Sequence, residues 1–209
     1  MEKFLDRAEA GKLLANKLRA YTKRKNVWVV ALPRGGVPVA YEIAQALSLP
    51  LDVLVVKKLG VPGYEEVAFG AIALGEIVFN REVIENFNLS KEVMDEIIFQ
   101  KTKLLKENEK KYRGERAFPS LKNKTIILVD DGVATGATMK VAIHVLKKYD
   151  PEKIVVAVPI SEIQTAEEIK QSVDEFICIL SPALFSSVGE GYQHFPQTSD
   201  EEVRTLLRG

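Results

Sequence analysis

Residues 126–139 read Ile-Ile-Leu-Val-Asp-Asp-Gly-Val-Ala-Thr-Gly-Ala-Thr-Met, an apolar run that ends in two acids and continues into a loop of small side chains. The run from Thr125 to Val129 is short, β-branched and free of charge, which is typical of a strand buried on both faces of a parallel sheet. Ligands of such sheets bind where the strands end. The stretch therefore predicts an α/β fold with a functional site at the end of this strand.

The loop from Gly132 to Thr138 has the composition of an anion-binding loop. Its side chains are nearly all small, so backbone N–H groups can surround a phosphate where the next helix begins. Thr135 and Thr138 add hydroxyl donors. Asp130 and Asp131 would repel the phosphate itself, but their carboxylates can accept hydrogen bonds from ribose hydroxyls. The spacing therefore predicts a site for a ribose 5-phosphate.

The apolar strand, the acid pair and the Thr-Gly-x-Thr string together resemble the signature of the type I phosphoribosyltransferases. The resemblance implies that Asp130 and Asp131 act in catalysis by holding the ribose of 5-phosphoribosyl 1-diphosphate. It assigns the 5′-phosphate to Gly132, Val133, Ala134, Thr135, Gly136, Ala137 and Thr138.

Two plainer interpretations of the same residues stay open. Acids after a buried strand also serve as metal ligands or helix caps, and a small-residue loop can be only a tight turn. A Walker-type phosphate loop is excluded, because no Gly-x-x-x-x-Gly-Lys-Ser/Thr string occurs.

A second motif lies upstream, where residues 27–36 read Val-Trp-Val-Val-Ala-Leu-Pro-Arg-Gly-Gly. Arg34 can grip a phosphate with two donors, and Gly35 and Gly36 let the backbone approach it. The family resemblance implies that Pro33, Arg34, Gly35 and Gly36 bind the pyrophosphate, with a cis peptide bond at Pro33–Arg34. It also implies that Arg34 acts in catalysis by stabilising the departing diphosphate. The string Leu-Pro-Arg-Gly-Gly-Val-Pro is most similar to an uncharacterised phosphoribosyltransferase-like branch of the family.

A third segment, residues 57–66, combines lysine, glycine, proline and glutamate and predicts a mobile excursion between two strands. The resemblance implies that this loop closes over the diphosphate, with Lys57 binding the pyrophosphate and Lys58 acting in catalysis. A solvated lysine pair is an equally good interpretation of either residue alone. Glu65 or Glu66 would supply a carboxylate near the acceptor, since Ala134 stands where hypoxanthine- and guanine-type members carry an aspartate.

Length and composition fit a single domain over residues 1–209, which the resemblance implies is a phosphoribosyltransferase domain. The chain is 46% hydrophobic and 28% charged, and its 29 basic and 29 acidic residues give a net charge of zero. Without a basic field, DNA is not an expected partner. No apolar run approaches the roughly 20 residues that span a bilayer, so we expect no membrane association and a cytoplasmic location. The lone Cys178 is expected to be a buried packing thiol.

Apolar runs alternate with helical patterns along the chain, which predicts a mostly parallel central sheet with helices on both faces. The expected strands are 27–32, 51–56, 67–74, 125–129, 153–158 and 174–179, and the expected helices are 7–21, 37–47, 91–113, 137–149 and 164–171. Residues 80–119, dominated by the charged helix 91–113, form a helical insertion that would be a dimer arm or a cap.

Residues 181–197 are aromatic, rich in glycine and without periodicity, and resemble the C-terminal hood of the family. The hood would hold the acceptor base through Phe185, Val188, Tyr192 and Phe195, although some of these would only pack the hood. His194 is a further base or donor candidate, but a loop histidine is more often structural. His144 lies within a helical pattern and is not expected to be catalytic.

The resemblance implies a Mg²⁺-dependent transfer of 5-phosphoribosyl to a nitrogen acceptor, a nucleobase, with release of pyrophosphate. Asp130 and Asp131 would contact the metal directly or through water, and the enzyme is expected to be a homodimer. One alternative is a catalytically silent sensor of 5-phosphoribosyl 1-diphosphate that binds RNA or a protein partner. A hydrolase is a weaker alternative, because no Gly-x-Ser-x-Gly motif occurs.

Overall fold

The computed structural model describes residues 3–183, 185 and 187–208, with the side chains of Glu65 and Glu66 outside the description. Its centre is a five-stranded parallel sheet in the order β2-β1-β6-β7-β8. These strands are β1 (Val27–Ala31), β2 (Leu51–Val53), β6 (Thr125–Val129), β7 (Lys153–Ile160) and β8 (Glu175–Leu180). The parallel central sheet expected from the sequence is confirmed.

Alternate residues of the strands face opposite sides of the sheet. Val29 and Ile127 pack into one apolar cluster with α1 (Arg7–Lys17) and α2 (Gly36–Leu47). Val30 and Leu128 pack into a second cluster with α5 (Ala137–Lys147). Both faces are therefore covered by helices, which explains why the central strands are apolar at every position.

The remaining helices are α3 (Arg81–Asn86), α4 (Lys91–Arg113), α6 (Ile163–Lys170) and α7 (Asp200–Leu206). Helix α4 begins where the Ser90 hydroxyl accepts a hydrogen bond from the Val93 amide, and it ends at Gly114, whose φ is +63°. A side-chain cap at the start and a left-handed glycine after the end are the usual signals for helix boundaries. The expected helix 91–113 is confirmed, whereas the first helix ends earlier than expected and continues as a 3₁₀ turn at Arg19–Tyr21.

Residues 57–79 correct two expectations about the third motif. They form a separate antiparallel sheet of β3 (Lys57–Val61), β4 (Tyr64–Ala73) and β5 (Glu76–Phe79). The 57–66 segment, which the sequence analysis expected to be a mobile excursion between two strands, is a hairpin within this second sheet, and 67–74 is not a strand of the central sheet. The reason lies in the turn, because Pro62 fixes one central dihedral and Gly63 supplies the positive φ of +77° that a tight turn needs.

The register of the central sheet brings the motifs together. Ala31 pairs with Val129, and Ala31 also pairs with Val53 on its other side. Strands β1, β2 and β6 consequently end at the same edge, so the segments that follow them lie side by side. No helix among the described residues is both long enough and apolar enough to cross a membrane.

Candidate active site

The signature loop encloses a small cavity of about 120 Å³ between β6 and α5, lined by Asp130 and by residues 132–139. Gly136 precedes α5 with a φ of +69°, a conformation that glycine adopts readily. The end of β7 and the first turn of α6 hold the loop from behind. The Val133 amide donates to the Ile160 carbonyl at 2.9 Å, and the Thr165 hydroxyl donates to the Ala134 carbonyl at 2.8 Å. All seven residues assigned to the 5′-phosphate line this cavity.

The acid pair is buried against the Arg-Gly-Gly turn. A Cβ on Gly35 would lie 2.0 Å from Asp131 Oδ2, and a Cβ on Gly36 would lie 2.8 Å from the Asp130 Cα. The two glycines therefore admit the acids, a role that adds to the phosphate approach expected from the sequence. The predicted cis peptide bond between Pro33 and Arg34 is confirmed.

Burial dominates the electrostatics of the acid pair. The Asp130 carboxylate accepts a hydrogen bond from the Asp131 amide at 2.9 Å. Desolvation, followed by the neighbouring Asp131 charge, raises the pKa of Asp130 well above its ordinary value. Desolvation also raises the pKa of Asp131, although the Arg7 guanidinium acts in the opposite direction. Hydroxyl donors from a ribose would stabilise the ionised form of both carboxylates.

Arg7, in the first turn of α1, is a site residue that the sequence analysis missed. Its Nε donates to Asp131 Oδ2 at 2.8 Å, its Nη1 donates to the Pro196 carbonyl at 2.7 Å, and its guanidinium lies 3.8 Å from the centroid of the Phe195 ring. Arg7 thus joins the signature acid to the hood. Nothing in the local sequence around Arg7 signals this, because its partners lie more than 120 residues away.

A second cavity, of about 320 Å³, lies beside the cis peptide bond and between the ends of β1 and β2 and helix α4. It is lined by Pro33, Arg34, Val55, Val56, Lys57, Asn108, Tyr112 and Asp200. Burial, followed by the charge of Lys101, lowers the pKa of Lys57. A partly buried cavity with two cationic side chains, Arg34 and Lys57, suits a diphosphate. Lys58, the next residue of the strand, is exposed on the opposite face, so its catalytic role stays a prediction.

Asp200 and Tyr112 are further cavity residues that the sequence analysis missed. The Asp200 carboxylate accepts hydrogen bonds from Lys111 Nζ and from the Tyr112 hydroxyl, both at 2.6 Å, and lies 3.9 Å from Arg34 Nη1. These hydrogen bonds lower the pKa of Asp200, so it carries a negative charge inside this second cavity. The helix start at Ser199, with an acid three positions later, was a readable signal for α7.

A third cavity, of about 440 Å³, lies under the hood and is lined by Arg7, Arg34, Gly35, Asp131, Val188, Phe195, Pro196, Gln197 and Thr198. Of the four residues expected to hold an acceptor base, Val188 and Phe195 line it. Tyr192 is buried behind them, with its ring 4.8 Å from that of Phe195 and its hydroxyl donating to the Asp131 carbonyl at 2.5 Å.

Other hood residues lie away from this cavity. Phe185 packs into the apolar cluster behind it. Residues 184 and 186 fall outside the description. The His194 ring is exposed, and the His194 amide donates to the Leu5 carbonyl. The sequence analysis suggested Glu65 or Glu66 as a carboxylate near the acceptor, and the side chains of both residues lie outside the description.

Comparison with known proteins identifies the family of this chain. The phosphoribosyl transferase domain family matches residues 3–194. A Mycobacterium tuberculosis protein provisionally named a phosphoribosyl transferase is 44% identical over 208 residues, which are 99% of this chain and 47% of that protein. The chain thus spans about half the length of this curated relative.

Solved structures show the same fold. The crystal structure of the protein TT1426 from Thermus thermophilus is 35% identical, covers 98% of this chain and 97% of its own, and superposes with a TM-score of 0.85. A hypoxanthine-guanine phosphoribosyltransferase from Bacillus anthracis, 10% identical with 94% and 95% covered, shares the fold at a TM-score of 0.53. The chain belongs to the phosphoribosyltransferase family and has its type I fold.

Proposed function

We propose that this protein is a Mg²⁺-dependent phosphoribosyltransferase that moves the 5-phosphoribosyl group of 5-phosphoribosyl 1-diphosphate to a nitrogen acceptor and releases pyrophosphate. The observation that carries the proposal is the position of the acid pair. Asp130 borders the small-residue phosphate cavity, while Asp131 and Arg34 border the hood cavity, and Arg34 also borders the cationic cavity. The three neighbouring cavities therefore offer places for a 5-phosphate, a ribose, a diphosphate and an acceptor.

Transfer at C1 breaks the bond to the diphosphate oxygen and forms a bond from the acceptor nitrogen. Positive charge develops on the ribose during this step, as in glycoside chemistry. The ionised carboxylates of Asp130 and Asp131 would hold the ribose hydroxyls and lie near that developing charge. Positioning of this kind, rather than covalent catalysis by the protein, is the main contribution we assign to the chain.

The leaving diphosphate carries the negative charge that the second cavity complements. Arg34 is planar and can donate two parallel hydrogen bonds to phosphate oxygens. Lys57 is partly desolvated and its pKa is lowered, so an anion bound nearby would restore its preference for the charged form. Both residues would stabilise the diphosphate more strongly as it departs and gains charge.

The donor set of the site fits Mg²⁺ held mainly by the substrate. Within the described part of the chain, no group of three or more metal-ligating side chains occurs. Mg²⁺ commonly keeps several waters and binds one or two carboxylates together with substrate phosphates. Asp130 and Asp131 would hold it directly or through water, and the bound ion would neutralise charge on the diphosphate.

We propose a nucleobase as the acceptor, bound in the hood cavity. Phe195 offers an apolar ring, while Arg7 and Gln197 offer donors beside it. A planar heterocycle with exocyclic oxygens would match both kinds of contact.

Phosphorus NMR tests the proposal directly. The protein is incubated with Mg²⁺ and 5-phosphoribosyl 1-diphosphate, with and without pooled purine and pyrimidine bases, and Arg34→Ala serves as the impaired control. We expect pyrophosphate to appear only when a base is present, and to appear more slowly with the variant. Ligand binding without turnover across the whole pool would instead favour the sensor, and absence of binding would overturn the proposed substrate.

A further inference from the structure

A further cavity, of about 500 Å³, lies on a different side of helix α4 from the diphosphate cavity. Glu109 and Arg113 of α4 line this cavity. The residues directly before them, Asn108 and Tyr112, line the second cavity, where we propose that the diphosphate binds. Neighbouring residues of a helix point about 100° apart. The two cavities share no lining residue, so this one is separate from the proposed active site.

The polar end of this cavity holds a buried charge with unmade hydrogen bonds. The Arg113 side chain is only 7% exposed, and its Nε and Nη1 atoms have no hydrogen-bond partner in the part of the chain that is described. The nearest carboxylate oxygens are those of Glu109, 3.4 Å from Nη2, and Asp52, 4.0 Å from Nε. Buried donors without acceptors are costly, and more so on a charged group.

The two acids only partly offset the Arg113 charge. Burial raises the pKa of both Asp52 and Glu109, which weakens their tendency to remain ionised beside the guanidinium. The guanidinium group of an arginine keeps its positive charge in proteins. The polar end therefore offers a further oxyanion the unused Nε and Nη1 donors of a buried guanidinium. The Glu109 Oε1 atom at the same end also has no hydrogen-bond partner among the described residues.

Most of the remaining lining is apolar, with Ser120 and Lys122 as its polar members. Leu74, Phe118, Leu121 and Tyr149 form its walls, and the Arg113 guanidinium carbon lies 5.1 Å from the centroid of the Phe118 ring. A cavity with apolar walls and a few converging polar groups is the usual form of a small-molecule site. The size suits a single ring with a charged substituent.

We infer that this cavity is a second ligand site, which takes a small molecule composed of a flat apolar ring and an oxyanion. The oxyanion accepts hydrogen bonds from Arg113, and the ring lies between Phe118, Leu121 and Tyr149. The shared chemistry is a ring-borne carboxylate or phosphate, and the choice of probe separates these two.

Calorimetric titration of the full chain tests the site with benzoate and phenyl phosphate as probes, and with acetate and inorganic phosphate as matched probes that lack the ring. We expect at least one ring-bearing probe to bind with a Kd of about 1 mM or tighter, and its partner without the ring to bind at least about tenfold more weakly. The tighter of the two ring-bearing probes identifies the oxyanion.

Two variants locate the binding. Arg113→Lys keeps the positive charge between the two acids but removes the planar donors, and Ser120→Phe narrows the exposed rim. Each should weaken the tighter probe at least about tenfold. Arg116→Lys makes the same chemical change outside the cavity, and Arg34→Lys alters the proposed active site, so both should leave binding unchanged. Failure of every probe to bind, or unchanged binding by both Arg113→Lys and Ser120→Phe, would overturn the inference.

Discussion

Arg7 and Asp131 form a short ion pair between two segments 124 residues apart, with Nε and Oδ2 separated by 2.8 Å and with side chains 10% and 13% exposed. The pair fixes the orientation of the signature acid before any substrate is present. It also attaches helix α1 to the site, because Arg7 reaches the hood through Pro196 and Phe195.

Arg7→Met should destabilise the protein by about 3 kcal/mol, because loss of one partner leaves the other charge buried and unpaired. Urea unfolding measures the change. The double variant Arg7→Met/Asp131→Asn should lose clearly less than the sum of the two single changes, since it removes both charges. Lys12→Met is the control, because the exposed Lys12 only approaches Glu42 at 3.9 Å and its loss should change stability by less than about 0.5 kcal/mol. Additive losses in the double variant would show that the pair is not coupled.

Asp130→Asn should make the protein more stable at neutral pH. The folded protein raises the pKa of Asp130 above that of the unfolded chain, so the folded state retains the proton over the intervening pH range. Stability contributed by this group therefore falls as the pH rises through that range. Unfolding midpoints of the protein and the variant, measured at several pH values, should diverge as the pH increases. The same variant should bind 5-phosphoribosyl 1-diphosphate more weakly, because a carboxylate is lost from the ribose site. A difference in stability between the protein and the variant that stays the same at every pH would contradict the raised pKa of Asp130.

Gly35→Ala should preserve the fold but weaken 5-phosphoribosyl 1-diphosphate binding by at least about tenfold, which corresponds to roughly 1.4 kcal/mol. The added Cβ meets the Asp131 carboxylate, which can rotate away at the expense of its place in the site. Gly36→Ala is the matched comparison. Its Cβ meets backbone atoms of Val129 and Asp130, so this variant should also lose stability. Thermal unfolding and ligand titration of both variants separate the two effects, and unimpaired binding by Gly35→Ala would remove Asp131 from the ribose site.

Asp200→Asn should strengthen pyrophosphate binding by up to about fivefold, because a partly exposed charge pair is worth only about 0.2–1 kcal/mol. The negative charge of Asp200 lies 3.9 Å from Arg34 and competes with the diphosphate for it. Asparagine keeps one oxygen for the Tyr112 hydroxyl but loses the oxygen that accepts from Lys111. Titration with pyrophosphate checks the change, and Glu201→Gln, an exposed acid on the same helix, should have no effect. Weaker binding by Asp200→Asn would mean that this acid assists the site instead.

Lys57→Met and Lys58→Met test which lysine of the hairpin serves the diphosphate. Lys57 lines the cavity and Lys58 is exposed on the other face of the strand. We expect Lys57→Met to raise the KM for 5-phosphoribosyl 1-diphosphate by at least about tenfold, equivalent to roughly 1.4 kcal/mol. Lys58→Met should stay close to the unaltered enzyme in steady-state kinetics. The reverse ranking would restore the catalytic role expected for Lys58 from the sequence.

The sequence predicted the parts of the site that are continuous in the chain. Asp130 to Thr138 and Pro33 to Gly36 each combine a strand end, a turn and a helix start, and short-range steric and hydrogen-bonding rules decide such segments. The parallel strands were predictable for the same reason. Tertiary contacts decide the rest. Arg7 and Asp200 enter the site only because α1 packs on the central sheet and α7 packs on α2 and α4. No property of their neighbours in the chain reveals these contacts.

The second sheet was missed for a different reason. The turn between β4 and β5 is made by Leu74 and Gly75, whose φ angles are +51° and +79°. Leucine is an unusual residue for a positive φ, so the sequence lacked the Asn-Gly or Asp-Gly pair that commonly indicates a hairpin. Tight turns built from unfavourable residues are stabilised by the strands on either side. A local sequence pattern does not reveal that stabilisation.

The hood is tied to the beginning of the described chain. The Phe4 amide donates to the Gly191 carbonyl, the Gln193 amide donates to the Phe4 carbonyl, and the His194 amide donates to the Leu5 carbonyl. These bonds join residues nearly 190 positions apart, and closing so long a loop costs entropy that short-range contacts do not. We therefore expect the hood to be among the last parts to form and the first to exchange its amide hydrogens. Each such opening would release Arg7 from Pro196, so the cavity under the hood and the carboxylates of Asp130 and Asp131 would lose their order together.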